Sequence, residues 1–256
     1  MRIIDCKAIA AKVLNESTVE KLKGRVLHVV MKNQNPDNLS YLKSIYKIAK
    51  KYDVTVPVYS LPENLPLSQG ANVVLGTELL PDNEKVLFLG FNEEEVTELY
   101  QSSESIGSIL QVLDNPLRRS AVWAVLMALA YALTDEMNEP QKTVVIGRSD
   151  LAKDCGTKLL KYNHTVTFVH TKTEGMVDYL READNIVSFA GSPNLITGDM
   201  VKDGATVISV GCALAGGVLC GDIDMDSMKE KKVFVTAPTG GIGALTTALL
   251  FAELAE

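Results

Sequence analysis

Short β-branched runs alternate with helical stretches through the second half of the chain, and that alternation leaves few folds open. Strands are expected at 143–147, Thr165–His170, Asn185–Phe189, Thr206–Val210 and Val233–Thr236. Helices are expected between them at about Leu151–Tyr162 and Glu174–Glu182, with a last one at Ile242–Leu254. Thr143–Ile146 is uncharged and β-branched, as in a strand covered on both faces. Strands joined through helices need right-handed crossovers, so the pattern predicts a parallel sheet with helices on both faces.

The strand ends carry residues suited to a ligand. Gly147-Arg148-Ser149, His170-Thr171-Lys172-Thr173, Ala190-Gly191-Ser192-Pro193, Val210-Gly211-Cys212 and Thr236-Ala-Pro-Thr-Gly-Gly241 would lie together, because ligands of open parallel sheets bind at the carboxyl ends of strands. Glycine lets a backbone approach a phosphate, and the free N–H groups of a following helix favour an anion. Lys153 and Asp154 intervene before Gly156, so the closely spaced glycines of the usual dinucleotide fingerprint are missing. By spacing alone, an ordinary strand–turn–helix fits Gly147 as well as a nucleotide site does.

The first half is also α/β. A helix is expected at about Cys6–Lys23, a strand at Val26–Met31, a helix at Leu39–Tyr52 after the Asn35-Pro36-Asp37-Asn38 turn, and a strand at Val54–Tyr59. Apolar runs follow at Ala71–Gly76 and Lys85–Phe91, then a short helix near Glu94–Gln101. Ser120–Thr134 is apolar nearly throughout and predicts a helix packed on several sides. The domain boundary is expected near it. The division read from the sequence is 1–118 with the C-terminal helix at about 242–256, against 119–241.

Composition narrows the classes. Hydrophobic residues at 46% and charged ones at 22% are globular values, and 256 residues suffice for a substantial core. A net charge of -7 argues against a general nucleic-acid or anionic-membrane surface. No segment is apolar for long enough to span a bilayer, and the opening Met1–Cys6 lacks a signal peptide's apolar core, so a cytoplasmic protein is expected. Cys6, Cys155, Cys212 and Cys220 are scattered and His28, His164 and His170 do not cluster, so neither a disulfide framework nor a metal site is expected.

Ile3–Ala10, Val145-Ile-Gly-Arg-Ser149, Ala183-Asp184, Gly191-Ser-Pro193, Ile196–Lys202, Gly221-Asp-Ile-Asp224 and Gly240-Gly-Ile-Gly243 occur in the order and approximate spacing of one family. Over nearly its whole length the chain resembles the bifunctional methylenetetrahydrofolate dehydrogenase/methenyltetrahydrofolate cyclohydrolase family. The resemblance implies a homodimer of two-domain subunits: an N-terminal α/β folate-binding domain, a C-terminal Rossmann-type domain for NAD(P), and an active site in the cleft between them. It implies that Gly147, Arg148 and Ser149 meet the cofactor phosphates, while Gly191, Val210, Gly211, Gly241 and Thr246 line the rest of the cofactor site. An NAD site often has an acid at the end of the second strand, where this chain has Thr171 and Lys172; NADP is favoured, with NAD the alternative.

The folate half departs from the pattern. The family has a tyrosine followed four residues later by a lysine, one helical turn apart; here Tyr41 is kept and the second position is Ile45. Lys43 and Lys47 each sit two residues from it, about 160° around the helix. The family's Val-Gln-Leu-Pro strand end reads Leu87-Phe88-Leu89-Gly90, and Phe88 is expected to make apolar contacts in place of a polar partner. Asp114 aligns too poorly to stand for the family's pterin-binding aspartate.

These departures bear unequally on two reactions. Hydride leaves the methylene carbon with help from adjacent nitrogen lone pairs, so that step chiefly needs the nicotinamide held close. Hydrolysis of the methenyl group needs proton transfer, typically worth roughly 10²–10⁴-fold. Isoleucine cannot provide it. The expected activity is dehydrogenation of the reduced folate, with cyclohydrolase weak or absent and Tyr41 positioning the substrate. Two readings stay open at this point: a non-catalytic nucleotide-binding relative, and a dehydrogenase of another reduced pterin.

Overall fold

The computed structural model describes residues 1–61, 83–91, 94–96, 98, 116–134, 137–216 and 218–256. In chain order the elements are β1 (Arg2–Ile4), α1 (Cys6–Val13), α2 (Glu16–Leu22), β2 (Val26–Met31), α3 (Pro36–Tyr52), β3 (Val58–Ser60) and β4 (Glu84–Leu89). There follow α4 (Pro116–Leu133), β5 (Lys142–Ile146), α5 (Asp150–Leu160), β6 (Thr165–Val169), α6 (Met176–Glu182), β7 (Asn185–Ser188), β8 (Thr206–Ser209), β9 (Cys212–Ala215), β10 (Val218–Gly221), β11 (Phe234–Thr236) and α7 (Ile242–Leu254). The apolar run at Ala71–Gly76, Asp114 and part of the helix expected near Glu94–Gln101 lie outside the described residues.

The chain forms two compact units, Met1–Lys12 with Ala121–Thr246, and Val13–Ser120 with Thr247–Glu256. The first holds a six-stranded sheet in the order β1-β11-β8-β7-β5-β6, every pairing parallel. β7 and β8 are buried at every position, whereas β6, at the edge, is largely accessible. Val144, Ile146, Ile186, Val207 and Val235 form the heart of its core with Leu180 of α6. From β5 the chain goes outward to β6 and returns on the other side as β7, and this reversal opens a crevice above the carboxyl ends of β5 and β7.

The second unit has a three-stranded parallel sheet, β3-β2-β4. Leu27, Val29 and Met31 of β2 pack with Leu87 and Leu89 of β4, Ile45 of α3 and Phe251 of α7. α3 starts where Asn35 caps it, accepting the Asn38 N–H at 2.8 Å, with Pro36 in the first turn. It ends at Asp53 in the left-handed region (φ 57), after Lys50 and Lys51 have placed positive charge at the helix C-terminus.

Several expectations differ in detail. The helix expected over Cys6–Lys23 is two, because Asn15 accepts the Thr18 N–H at 3.0 Å and starts a new helix at Glu16. The strand expected over Val54–Tyr59 shrinks to Val58–Ser60, since Pro57 has no N–H; the carbonyls of Thr55 and Pro57 still accept from Leu27 and Val29, both at 2.9 Å. Met1–Lys12 groups with the six-stranded unit because β1 pairs with β11, Ile3 opposite Val235. The antiparallel hairpin β9–β10 has no counterpart in the expected elements. Among the described residues no helix is long and apolar enough to cross a membrane.

Candidate functional site

β5, β6, β7, β8 and β11 each end in a loop at the carboxyl edge of the six-stranded sheet. After β5 the chain turns at Gly147, whose φ of 138° favours glycine and whose Cβ, if present, would lie 3.1 Å from that of Phe189. Arg148 is exposed and makes no ion pair among the described residues. Ser149 caps α5, its hydroxyl accepting the Ala152 N–H at 3.3 Å. The acid in the first turn, Asp150, is engaged by Lys153 at 3.0 Å.

After β6, His170 to Thr173 form a turn in which the Thr173 hydroxyl accepts the His170 N–H at 2.9 Å and the Lys172 N–H donates to His170 Nδ1 at 3.1 Å. Thr171 and Lys172 are exposed there, and no acid stands at this strand end. After β7 and β8 the backbones come very close. A Cβ on Gly211 would lie 2.4 Å from the Gly191 amide nitrogen and 2.6 Å from Asp222 Oδ2, so the approach requires glycine. Val210 and Gly211 N–H groups both donate to the Ser188 carbonyl, at 2.8 and 3.1 Å. After β11, a Cβ on Gly241 would meet the Ala237 carbonyl oxygen at 2.1 Å. Thr246 is buried in α7 with its hydroxyl donating to the Ile242 carbonyl at 2.9 Å.

Asp222 sits beneath this edge and is 0% exposed. Its Oδ2 accepts from the Ser188 hydroxyl at 2.6 Å and the Ala190 N–H at 3.1 Å, and its Oδ1 accepts from the Ser192 N–H at 2.7 Å. The Asp222 N–H in turn donates to the Ser209 hydroxyl at 2.8 Å, and that hydroxyl donates to the Gly211 carbonyl at 2.8 Å. The Asp222 side chain thus holds the loop after β7, while its backbone N–H reaches the loop after β8 through the Ser209 hydroxyl. Close backbone approach, exposed loop cations and a capped helix start are what a dinucleotide's phosphates and sugars require, so these residues fit an NAD(P) molecule.

The three-stranded unit contains the other site candidate, Tyr41. Its hydroxyl is buried without a hydrogen bond of ordinary geometry. Burial pushes the phenol pKa well above its usual value, and the nearby Thr247 side chain offsets a small part of this. One turn on, Ile45 is 0% exposed within the apolar core. Phe88 is 4% exposed and meets Phe91 edge to face, with ring centroids 5.8 Å apart, the apolar contact expected of it. Gly90 is held against Asn38, where a Cβ would lie 2.4 Å from Nδ2. Cys6 and Cys155 are buried thiols pushed up to about 11 and about 12, so neither is poised as a nucleophile. Among the described residues no group of three or more His, Cys, Asp or Glu side chains is placed to hold a metal.

The sequence model of the tetrahydrofolate dehydrogenase/cyclohydrolase NAD(P)-binding domain matches residues 121–256. The chain belongs to the tetrahydrofolate dehydrogenase/cyclohydrolase family. It is 28% identical over 274 residues to the bifunctional protein FolD of Lactobacillus acidophilus, covering 97% of this chain and 94% of that protein. It is 29% identical over 273 residues to that of Methanospirillum hungatei, covering 99% and 96%. The crystal structure of the bifunctional FolD methylenetetrahydrofolate dehydrogenase/cyclohydrolase from Campylobacter jejuni superposes with a TM-score of 0.79 at 26% identity, covering 100% of this chain and 98% of that one.

Within the family frame, the sequence marks the loop residues, Ser192 among them, but not the burial of Asp222 or its donor Ser188. Gly221-Asp-Ile-Asp224 was visible as a motif, yet nothing local marks its first acid as buried. Lys7 was missed too; its side chain lies against the last loop, with Cε 2.2 Å from where a Gly240 Cβ would be.

Proposed function

We propose that this chain is an NAD(P)-dependent dehydrogenase of 5,10-methylenetetrahydrofolate in which methenyltetrahydrofolate cyclohydrolase activity is weak or absent. The observation that carries the second half of this reading is Ile45, fully enclosed in apolar core at the position of the family's lysine. No proton-transfer group stands there. Dehydrogenation depends instead on holding two molecules in register, which backbone and positioning groups can do.

In this reading Gly147, Arg148 and Ser149 hold the cofactor phosphates, with the α5 N-terminus behind them. Thr171 and Lys172 face the adenosine ribose, and Lys172 favours a 2′-phosphate there, hence NADP over NAD. Gly191, Val210, Gly211, Gly241 and Thr246 shape the remainder. Thr246 does so through the helix start it braces, since its hydroxyl is committed to Ile242. The bound nicotinamide supplies the hydride acceptor. Tyr41 has a buried hydroxyl, with Thr247 beside it and no hydrogen bond of ordinary geometry among the described residues, able to orient a ligand group.

The reading places the protein in one-carbon metabolism as a cytoplasmic homodimer that takes a reduced folate and neither nucleic acid nor membrane. Turnover of methylenetetrahydrofolate with NADP and with NAD, following reduced nicotinamide and methenyl product separately, is the test. Reduced nicotinamide with accumulating methenyl product is expected. Absence of turnover with both cofactors would replace the reading with that of a non-catalytic nucleotide binder or a dehydrogenase of another pterin. Sedimentation equilibrium checks the dimer.

A further inference from the structure

An ionised carboxylate only accepts hydrogen bonds, and the groups that meet the Asp222 carboxylate are donors: the Ser188 hydroxyl and the Ala190 and Ser192 N–H groups. Among the described residues no lysine or arginine pairs with it. A buried anion is costly to keep, and these three donors, rather than a cation among the described residues, hold it. The hairpin β9–β10 exists in the right place to deliver it, since β10 ends at Gly221, immediately before Asp222.

Its position in the sheet gives the anion a use. In an open sheet of this kind the phosphates lie at the first strand–helix turn, here after β5, and the adenosine ribose lies at the end of the next strand, here β6. The dinucleotide therefore runs across the crevice in the opposite direction toward β7 and β8. Its nicotinamide end falls over the loops that Asp222 ties together. The oxidised nicotinamide ring carries a positive charge and the reduced ring does not.

We propose that Asp222 is a positioning residue whose carboxylate fixes the loop after β7 and, through its charge, makes the site prefer the oxidised nicotinamide dinucleotide over the reduced one. This rests on the dehydrogenase reading above. The missing counter-charge is brought by the oxidised cofactor and leaves when the ring is reduced, so the same carboxylate favours entry of one form and release of the other.

Asp222→Asn keeps the shape and removes the charge. Dissociation constants for NADP+ and NADPH, measured by titration without folate, are expected to change unequally, with the preference for NADP+ falling about tenfold. One unit charge acting across roughly a nanometre of protein has an effect of that size. Asp222→Glu keeps the charge and disturbs the loops, so both constants rise and their ratio holds. Equal weakening of both forms in Asp222→Asn overturns the proposal and leaves Asp222 a structural brace.

Where thermal unfolding shows Asp222→Asn to be poorly folded, Ser188→Ala decides. It keeps the anion and removes one donor, so the ratio should stay within about twofold of wild type. Collapse of the ratio with the anion still in place overturns the proposal. Wild-type protein that binds neither nucleotide overturns the dehydrogenase reading and this inference together, whereas wild type that binds both with no variant effect overturns this inference alone.

Discussion

The two units handle polarity in opposite ways. At the carboxyl edge of the six-stranded sheet, glycines bring backbones into contact, Arg148 and Lys172 stand exposed, and a buried carboxylate is fully hydrogen-bonded. On α3 of the three-stranded unit, the position one turn after Tyr41 has become part of the apolar core. Nucleotide binding is built from many backbone groups and tolerates drift at any one side chain. Proton transfer at a carbon centre depends on one group, and one substitution removes it. On the proposed reading, the chemistry this chain keeps is therefore the kind that is spread over many residues.

The sharpest way to break this contrast is to put the lysine back. Ile45→Lys forces an ammonium among Leu27, Val29, Leu87 and Phe251, and a loss of about 3–5 kcal/mol in unfolding free energy is expected, read from urea midpoints. Methenyl hydrolysis should remain at background. A stable variant with restored hydrolysis would show that α3 presents this position to a ligand after all.

A smaller effect sharpens the other side. Removing an exposed cation at the six-stranded edge should leave stability within about 0.5 kcal/mol and act on ligand choice. Lys172→Ala is expected to raise KM for NADP about tenfold, or ~1.4 kcal/mol, with little change for NAD. Arg148→Ala should also weaken NADP more than NAD. Steady-state kinetics with both cofactors give the comparison, and equal losses would remove these residues from 2′-phosphate recognition.

Much of this architecture was legible in the sequence where information is local. Periodicity and glycine turns gave β5 to β8, β11 and α7 to within a few residues, and the loops at their ends followed from parallel topology. Long-range pairing was not legible. Arg2–Ile4 is too short to announce itself and becomes a strand only because β11, more than 200 residues on, offers a free edge. Asp222 was hidden for the same reason, since its burial depends on donors about thirty residues away. Ile45 was legible as a departure, but its depth in the core was not, because the burial comes from β2, β4 and α7 together.

Beneath the six-stranded sheet, away from its loops, a second buried polar group contributes to stability rather than binding. His164 is 3% exposed, and its Nε2 meets the Met137 carbonyl at 3.1 Å, which can only accept, so that nitrogen carries the proton. Nδ1 is then the acceptor for the Thr143 hydroxyl at 2.7 Å, and the ring is neutral. Burial lowers its pKa below the ordinary 6.5, against smaller opposing effects from Met137 and Asp184. An unfolded chain protonates this histidine first as pH falls. Its contribution to stability is therefore complete above about pH 6.5 and declines as pH drops from there through the lower folded value.

Asp184 loses its own contribution only below 3.8: although burial pushes its carboxyl up, Lys202 and the Lys142 N–H hold it down overall. Urea midpoints at pH 7.5 and pH 5 should thus fall in the wild type and fall less in His164→Gln. Parallel slopes in the two proteins would mean that His164 is not held neutral by its surroundings. The polar groups of this unit would then be insensitive to pH away from the nucleotide edge, and the contrast between its loops and its core would rest on packing alone.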